Sequence, residues 1–334
     1  MKRIGLLYDR IPRYENLLSA FHAAARGKRE RAEVRAFHDA LPRNLLWIRA
    51  GFQNASLPLG DYHYFTIYDP KRRRICAASF PERVIHHAVV NVVGPVLERP
   101  LIDQTFACRR GKGQHRAARL ACRYADRFPF FLKMDVRKYY DSIDHTQVAQ
   151  QLGRLIKDPA LLRWFDQLLD TYHTERVRGL PIGNLTSQYL ANLYLSPFDH
   201  FVQQQLGCSA YVRYMDDFVL WGTRQQVRAW HPAARDFLAE RLSLGIKRGG
   251  FVNRSGQGCE FLGYRVFPGR MRLSRRAARR LRAKTRALEH AYARGELTES
   301  ELQQRVTAVF SFAAGTDSRG LRRRVAEATL LKDY

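Results

Sequence analysis

Apolar and polar positions alternate in patterns that divide the chain into predicted elements. Residues 13 to about 50 carry apolar side chains at helical spacing, so we expect helices there. The segment YHYFTIYDPKRRRICAASF alternates on both sides of Asp69-Pro70, which predicts a hairpin with basic residues at or beside its turn. The next segment, PERVIHHAVVNVVGPVLE, has the spacing of a buried helix with Pro81 in its first turn.

In the middle of the chain, the pattern of apolar residues predicts strands that end at acidic residues. FPFFLKMD is an apolar strand that ends at Asp135. YVRYMDDFVLWG predicts a hairpin whose two strands flank Asp216 and Asp217 at its tip. LPIGNLTSQYLANLYLSPFD predicts a polar loop that leads into a helix with an apolar face, and CEFLGYRVF predicts a short strand pair.

The region that follows Met271 predicts two helices. The first contains RRAARRLRAKTR, in which Arg279, Arg282 and Arg286 recur at helical spacing and form a basic stripe. The second begins at a capping box that Thr298 opens. We expect the stripe to bind along the phosphate backbone of nucleic acid. The alternative is a solubilising surface that binds no ligand.

The excess of basic over acidic residues indicates a negatively charged binding partner. The 334 residues include 57 Lys and Arg against 31 Asp and Glu, a net charge of +26 that a polyanion would match. Nucleic acid is the leading expectation, and an anionic membrane surface is the second. The five cysteines are scattered without a CxxC pair, which indicates neither a zinc knuckle nor a disulfide framework. No apolar run approaches the roughly 18 residues of a membrane span, so we expect a cytoplasmic protein without membrane contact.

Three acids carry the candidate chemistry. Asp135 and the pair Asp216 and Asp217 would cluster if their strand ends meet, and clustered carboxylates need cations. Mg²⁺ takes carboxylate oxygens together with substrate phosphates, and two such ions about 4 Å apart promote in-line displacement at phosphorus. The alternative is that the adjacent acids only fill a hairpin turn, where aspartate is common. The separate strand that ends at Asp135 favours phosphoryl or nucleotidyl transfer.

The order of these segments resembles that of the reverse transcriptases. MDVRKYYDSIDH is similar to the first palm motif, GLPIGNLTSQYLANLYLSPFD to the loop and helix that support nucleotide and template, and RYMDDF to the catalytic hairpin. LGIKRG and CEFLGYRV lie where the lysine motif and the primer grip belong, and RRRICAASFPERVIHHAV and FACRRGKGQHRA resemble the two fingers blocks. The resemblance implies an RNA-directed DNA polymerase with the α+β right-hand fold of fingers, palm and helical thumb.

The same resemblance implies an order of regions along the chain. The regions are a basic helical extension at 1–58, fingers at 59–130, a palm at 131–271 with a helical insertion near 145–185, and a thumb at 272–334.

The resemblance also assigns site residues by position. Those implied to hold two Mg²⁺ ions, or Mn²⁺ in vitro, are Asp135, Val136 through its carbonyl, Asp216 and Asp217, the last with weaker direct ligation. Those implied to contact the incoming deoxynucleoside triphosphate or its template are Arg74, Arg83, Tyr140, Ile182, Gln188 and Lys247. Tyr140 would exclude a ribose 2′-hydroxyl, and Lys247 would neutralise the departing pyrophosphate; the alternatives are a core tyrosine and a solvated lysine.

The loop IGNLTSQ narrows the resemblance to a subgroup. Group II intron enzymes usually carry glutamine where this chain has Ile182 and proline where it has Gln188, whereas the Ile-Gly-x-x-x-Ser-Gln form resembles reverse transcriptases of diversity-generating retroelements. That subgroup implies mutagenic retrohoming, in which a template-repeat RNA is copied into cDNA with misincorporation opposite adenine. It also implies an RNA/cDNA primer duplex and a small basic accessory protein as partners. Open alternatives are a group II intron-derived, retron-like or defence-associated reverse transcriptase and a non-catalytic RNA-binding relative.

Overall fold

The structure, a computed structural model, describes residues 2–68 and 72–327, with side chains as far as Val325. The chain passes more than once through each of two units. Unit 1 comprises Met1–Cys108, Val136–Leu206 and Ala233–Lys247, and unit 2 comprises Arg109–Asp135, Gly207–Pro232 and Arg248–Tyr334.

Helices and antiparallel strands make up the described residues. The helices are α1 (Tyr14–Ala25), α2 (Ala32–Asp39), α3 (Leu41–Gln53), α4 (Phe80–Glu98), α5 (Gln114–Arg127), α6 (Tyr139–Ser142), α7 (His145–Leu155), α8 (Pro159–Asp170), α9 (Leu185–Tyr194), α10 (Ser196–His200), α11 (Arg224–Leu242), α12 (Arg275–Ala293), α13 (Glu299–Ser311) and α14 (Arg319–Glu327). The strands are β1 (Tyr62–Ile67), β2 (Arg73–Ala78), β3 (Phe130–Asp135), β4 (Tyr211–Tyr214), β5 (Asp217–Gly222), β6 (Phe251–Arg254), β7 (Cys259–Phe261), β8 (Tyr264–Phe267) and β9 (Arg270–Leu273). A π-helix, Phe201–Gln205, continues from α10.

Helix α4 forms the centre of unit 1. It is apolar around most of its circumference, so it is buried along nearly its whole length and packs against α1 and α9. Pro81 lies in its first turn, as predicted, and the helix continues through Pro95. Gly94 allows close packing, since a Cβ there would lie 3.2 Å from the ring of Tyr189 on α9. The predicted buried helix is therefore confirmed.

The β1–β2 hairpin of unit 1 is fixed at its base. The two strands pair antiparallel, as predicted, and residues 69–71, where the turn is predicted, lie outside the described residues. The buried carboxylate of Glu82 accepts hydrogen bonds from the backbone N–H of Gly60 at 3.1 and 3.2 Å, and His86 lies 3.4 Å from the same carboxylate. Tyr62 shares a 2.7 Å hydrogen bond with Thr171 beside α8. Buried polar contacts therefore anchor the base of the hairpin within unit 1.

Unit 2 contains a four-stranded antiparallel sheet in the order β4-β5-β3-β6. Most apolar residues of β3, β4 and β5 are buried, and helix α5 packs on β4 and β5 through small side chains and also contacts β8. The alanines on that face of α5 are Ala117, Ala118, Ala121 and Ala125. The sheet brings β3 beside the predicted hairpin β4–β5, although a long stretch of chain separates them.

The C-terminal part of unit 2 differs from its prediction. A second sheet has the order β7-β8-β9, and Met271 lies within β9 rather than before a helix. The Thr298 capping box is present at the start of α13, but a third helix, α14, follows it. The expectation of only two helices after Met271 was therefore wrong, because short alternation in β9 and a strongly basic α14 carry weak apolar signals.

Three further expectations concern the fold class, the cysteines and membrane-spanning helices. Helices and antiparallel strands together give the α+β class that the sequence predicts. All five cysteines are free thiols. Between residues 2–68 and 72–327, no helix combines the length and the apolar character that a membrane crossing requires.

Candidate active site

The three predicted acids lie at one end of the four-stranded sheet of unit 2. Asp135 is the last residue of β3, Asp217 is the first residue of β5, and the two are direct partners in the strand register. Directly opposed residues in an antiparallel pair have Cβ atoms about 4.5–5.5 Å apart. Asp216 immediately precedes Asp217 in the tight turn between β4 and β5. The sheet therefore places all three acids at the same edge.

A buried arginine fixes the turn that carries Asp216. Met215 has a positive φ of 55°, a left-handed conformation that costs about 1–2 kcal/mol for a residue with a Cβ atom. The side chain of Arg213 is fully buried and donates a 3.1 Å hydrogen bond from Nη1 to the carbonyl of Met215. The guanidinium therefore holds the turn in this conformation.

A lysine compensates the charge of Asp217. Lys133 Nζ lies 3.1 Å from Oδ1 and 3.3 Å from Oδ2 of Asp217, and it also donates to the carbonyl of Glu260. Burial works to lower the pKa of Lys133, but the negative charge of Asp217, with smaller contributions from Cys259 and Asp135, outweighs it and the pKa is raised. The ammonium group therefore stays charged at neutral pH.

The carboxylate oxygens of the three acids are suitable ligands for Mg²⁺. Carboxylate oxygens from two strand ends are the ligands that this hard ion prefers. Across residues 2–68 and 72–327, however, no group of three or more His, Cys, Asp or Glu side chains is arranged to hold a metal. Backbone oxygens, water and substrate phosphates would have to complete the coordination, as is usual for Mg²⁺ in polymerase sites.

Val136, the expected carbonyl ligand, follows Asp135 directly and belongs to unit 1. It is buried, and its backbone pairs with Ile246 in an isolated antiparallel bridge. The backbone N–H of Arg137 donates a 2.8 Å hydrogen bond to the carbonyl of Gly245. Lys247 comes directly after this bridge and is exposed, so the segment with the predicted lysine lies beside the chain that leaves β3.

Three of the expected nucleotide contacts lie in unit 1, and two of them accept backbone hydrogen bonds from neighbouring segments. Tyr140 is half-buried in α6, and its carbonyl accepts a 2.8 Å hydrogen bond from Leu180. The carbonyl of Ile182 accepts one of 2.8 Å from Cys76 in β2. Gln188 lies half-buried in the following helix, α9. The loop that carries Ile182 is therefore tied to α6 on one side and to the hairpin on the other.

Glycine is required next to Ile182. Gly183 has a φ of 133°, and a Cβ atom there would lie 2.6 Å from the carbonyl oxygen of Cys76. The next residue, Asn184, is buried and accepts a hydrogen bond of 3.4 Å from the N–H of Ala78. The loop thus approaches β2 more closely than any other residue type would allow.

The two predicted arginines have different surroundings. Arg74 is exposed on β2, with its guanidinium carbon 4.2 Å from the centre of the Tyr64 ring. Arg83 forms an ion pair with Glu33 and lies over the ring of Phe80 at 5.3 Å. A triphosphate would have to compete with Glu33 for Arg83, whereas Arg74 faces solvent.

The basic stripe lies on the exposed side of α12. Arg279, Arg282 and Arg286 are all exposed, whereas the opposite side of the helix is buried. The buried residues are Ala277, Leu281, Thr285 and Glu289. The predicted stripe is thus available to a ligand from solvent.

Sequence reasoning missed three charged residues at these sites. Lys133 and Arg213 were taken as parts of apolar strands, and Glu33 as part of the helical region at residues 13 to about 50. A signal existed for Lys133, because it precedes Asp135 by two positions and alternate residues of a strand share a face. The partners of Arg213 and Glu33 depend on the folded turn and on helix packing, which the pattern alone does not reveal.

The four-stranded sheet and its three acids lie inside a region that matches a known protein family. A sequence profile described as "Reverse transcriptase (RNA-dependent DNA polymerase)" matches residues 69–265, more than half of the chain. The chain therefore belongs to the reverse transcriptase family. This membership confirms the predicted enzyme class and the α+β right-hand polymerase fold class.

Two curated relatives show how far the similarity extends. Protein YkfC of Escherichia coli K12 is 23% identical over 255 residues, which cover 62% of this chain and 67% of that protein. The group II intron-encoded protein LtrA of Lactococcus lactis subsp. cremoris is 26% identical over 140 residues, which cover 40% of this chain and 23% of that protein. The chain thus spans about two thirds of the first relative and less than a quarter of the second.

Two solved structures are similar to this chain at low sequence identity. Telomerase from Candida albicans in complex with a TWJ fragment of telomeric RNA has a TM-score of 0.47 at 13% identity, over 81% of this chain and 55% of that one. Apo telomerase from Candida tropicalis has a TM-score of 0.48 at 12% identity, over 65% of this chain and 55% of that one.

Proposed function

We propose that the chain copies an RNA template into DNA from deoxynucleoside triphosphates. The observation that carries this proposal is the register that sets Asp135 opposite Asp217, with Asp216 in the adjoining turn, inside the region that matches the reverse transcriptase family. When bound, two Mg²⁺ ions, or Mn²⁺ in vitro, would supply charge neutralisation and activation of the primer hydroxyl. The protein itself would hold the carboxylates at the end of the sheet. It would also bind primer, template and nucleotide so that the primer hydroxyl is in line for attack on the phosphorus.

The residues of unit 1 would bind the nucleotide. The half-buried ring of Tyr140 would lie under the sugar and exclude a 2′-hydroxyl, which selects deoxynucleotides. Arg74 and Arg83 would bind the triphosphate through charge-assisted hydrogen bonds, Gln188 would contact nucleotide or template, and Lys247 would neutralise pyrophosphate. We assign fingers, palm and thumb to residues 59–130, 131–271 and 272–334, after a basic extension at 1–58.

Loss of one carboxylate tests the activity. Asp216→Asn should lower Mg²⁺-dependent incorporation of deoxynucleotides on a primed RNA template by about 100-fold or more, because an electrostatic stabiliser of the transition state is lost. Asp39→Asn, which changes an exposed acid at the end of α2, should leave the rate unchanged. No Mg²⁺-dependent incorporation by the wild type would instead indicate a non-catalytic RNA-binding protein, and equal measurable rates in the wild type and Asp216→Asn would contradict the role of Asp216.

For the biological role, we propose mutagenic copying of a template-repeat RNA in a diversity-generating retroelement. The support is the Ile-Gly-x-x-x-Ser-Gln loop, in which Ile182 is half-buried and fixed to β2 through its carbonyl. An aliphatic side chain there cannot hydrogen-bond near the nascent base pair, so discrimination between bases would be weaker. Such a role also requires an RNA/cDNA primer duplex and a small basic accessory protein in the cytoplasm.

A substitution at Ile182 tests this role. Misincorporation opposite template adenine should fall by about tenfold in Ile182→Gln, since such a contact changes base discrimination by about 1–3 kcal/mol. Ile182→Val keeps the side chain aliphatic and should keep the error rate. Sequencing of cDNA made with and without the accessory protein measures both outcomes. An unchanged error spectrum in Ile182→Gln would remove this account of low fidelity.

A second role is favoured by the similarity to LtrA. This relative is group II intron-encoded, and its aligned 140 residues show 26% identity. An intron-derived enzyme would use the same acids but a different RNA. High fidelity on an intron RNA template, combined with no dependence on an accessory protein, would support this alternative over diversification.

A further inference from the structure

Lys133 is a charged residue inside the sheet that carries the acids. It lies two positions before Asp135 in β3, and its register partners are Val219 in β5 and Phe251 in β6. Alternate residues of a strand share a face, so Lys133, Asp135 and Asp217 all point to the same side of the sheet. Its side chain is only 19% exposed. A lysine in this position is costly unless it has specific partners.

Its partners come from two sheets of unit 2. The ammonium group contacts both carboxylate oxygens of Asp217, at 3.1 and 3.3 Å. It also donates to the carbonyl of Glu260 in β7 and lies 5.7 Å from the centre of the Phe261 ring. One cation therefore joins the catalytic hairpin to β7, the segment with the predicted primer grip.

The register explains why a cation is needed here. Asp135 and Asp217 are directly opposed, and like charges in that relation repel each other. A metal ion could compensate both carboxylates, but Lys133 already contacts one of them. Asp217 is thus held by a lysine from within the sheet, and the turn that carries Asp216 is supported by Arg213.

We propose that Lys133 is a positioning residue that acts as a built-in counterion of Asp217, withholds it from the metal and leaves Asp135 and Asp216 as the carboxylate ligands. This inference rests on the proposed polymerase function of the same site. It deepens that function because it separates the roles of two adjacent acids and connects one of them to β7. If Lys133 is removed, Asp217 becomes an additional ligand beside Asp135.

Metal binding without nucleic acid tests the separation of the two acids. In a titration of the full chain with Mn²⁺, followed by electron paramagnetic resonance, Asp216→Asn should weaken binding by about tenfold or more, because a direct ligand is lost. Asp217→Asn should change the affinity by less than about threefold, since only a screened charge is removed. A loss in Asp217→Asn as large as that in Asp216→Asn would overturn the proposal.

Replacement of the lysine tests the counterion itself. Lys133→Met should bind Mn²⁺ about tenfold more tightly than the wild type, because a positive charge is removed and a third carboxylate is released. The double variant Lys133→Met with Asp217→Asn should lose this gain, and Lys133→Arg should keep the wild-type affinity. Lys157→Met, at an exposed lysine of unit 1, is the matched control for the loss of one charge.

The direction of the change separates this role from simple structural support. A lysine that only stabilised the fold would give weaker Mn²⁺ binding when replaced, and that result in a folded Lys133→Met protein would overturn the proposal. If Lys133→Met does not fold, the comparison of Asp216→Asn with Asp217→Asn still decides. The wild-type primer-extension assay is a separate measurement, so failure of the polymerase function and failure of the counterion role give different results.

Discussion

Buried charges at the active-site sheet are retained because each has an oxygen partner. Lys133 contacts Asp217, and Arg213 contacts the carbonyl of Met215. For a buried ion pair such as Lys133 with Asp217, removal of one partner typically costs about 3–5 kcal/mol. The sequence predicted the three acids at the ends of strands because apolar strand patterns are local. It did not predict Lys133 as their neighbour, because the pairing of β3 with β5 is a tertiary contact.

At the residue scale, Gly183 should be intolerant of a side chain. Gly183→Ala combines a φ of 133° with a Cβ atom 2.6 Å from the carbonyl oxygen of Cys76, so we expect a loss of about 2–3 kcal/mol in the free energy of unfolding. Incorporation of deoxynucleotides should fall as well, since the loop with Ile182 would shift. Denaturant unfolding and primer extension measure the two effects.

The control is a glycine without these constraints. Gly153 lies within α7 and has no positive φ, and a Cβ atom added there would meet no neighbouring atom within 4 Å. Gly153→Ala should therefore be neutral or stabilising by about 0.5–1 kcal/mol. If Gly183→Ala were as stable as Gly153→Ala, the close approach of the loop to β2 would be refuted.

At the scale of elements, strong apolar periodicity decided which predictions held. Helix α4, the two hairpins and strand β3 were predicted because each carries a long pattern of one period. Strand β9 and helix α14 were missed, because β9 is four residues long and α14 is mainly basic. Backbone contacts between the Ile182 loop and β2 were also beyond prediction, since they depend on how α9 packs against α4.

Helix α4 should make the fold sensitive to acid. Burial, followed by the positive charges of His86, Lys28, Arg26 and Arg83, lowers the pKa of His87 to about 4. The unfolded chain takes up this proton near pH 6.5, where the folded chain does not, so stability is lost as the pH falls from about 6.5 towards 4. His87→Gln should flatten the pH dependence of Tm over this range.

An exposed histidine gives the comparison for this measurement. His290 lies on the exposed side of α12, and His290→Gln should show the same pH dependence as the wild type. Carboxylates also titrate in this range, so the informative quantity is the difference between the two variants. Parallel Tm profiles for His87→Gln and His290→Gln would contradict the role assigned to His87.

At the scale of the whole molecule, the net charge of +26 favours binding of nucleic acid and does not determine the fold. Arg279, Arg282 and Arg286 face solvent from α12, where a phosphate backbone could reach all of them. If each neutralises one phosphate, their replacement by alanine should reduce the slope of log affinity against log salt by about 2–3. Filter binding of a template-primer duplex at several salt concentrations measures this slope.

A second triple variant controls for total charge. Arg49, Arg154 and Arg241 are exposed arginines of unit 1, and their replacement by alanine removes the same charge from the protein. This variant should keep a slope close to that of the wild type. Equal slopes for both triple variants would show that the arginines of α12 form a solubilising surface and do not bind the phosphate backbone.

The strand order of the active-site sheet has a consequence for synthesis of the protein. Strand β3 lies between β5 and β6, so Phe130 is aligned with both Gly222 and Arg254, which leave the ribosome much later. Until then, both edges of an apolar strand lack their partners, and such edges promote aggregation. Pairing across long stretches of chain is also slow. We therefore expect nascent chains that stop before β6 to depend on chaperones, and polymerase activity to be acquired only after β6 has been synthesised.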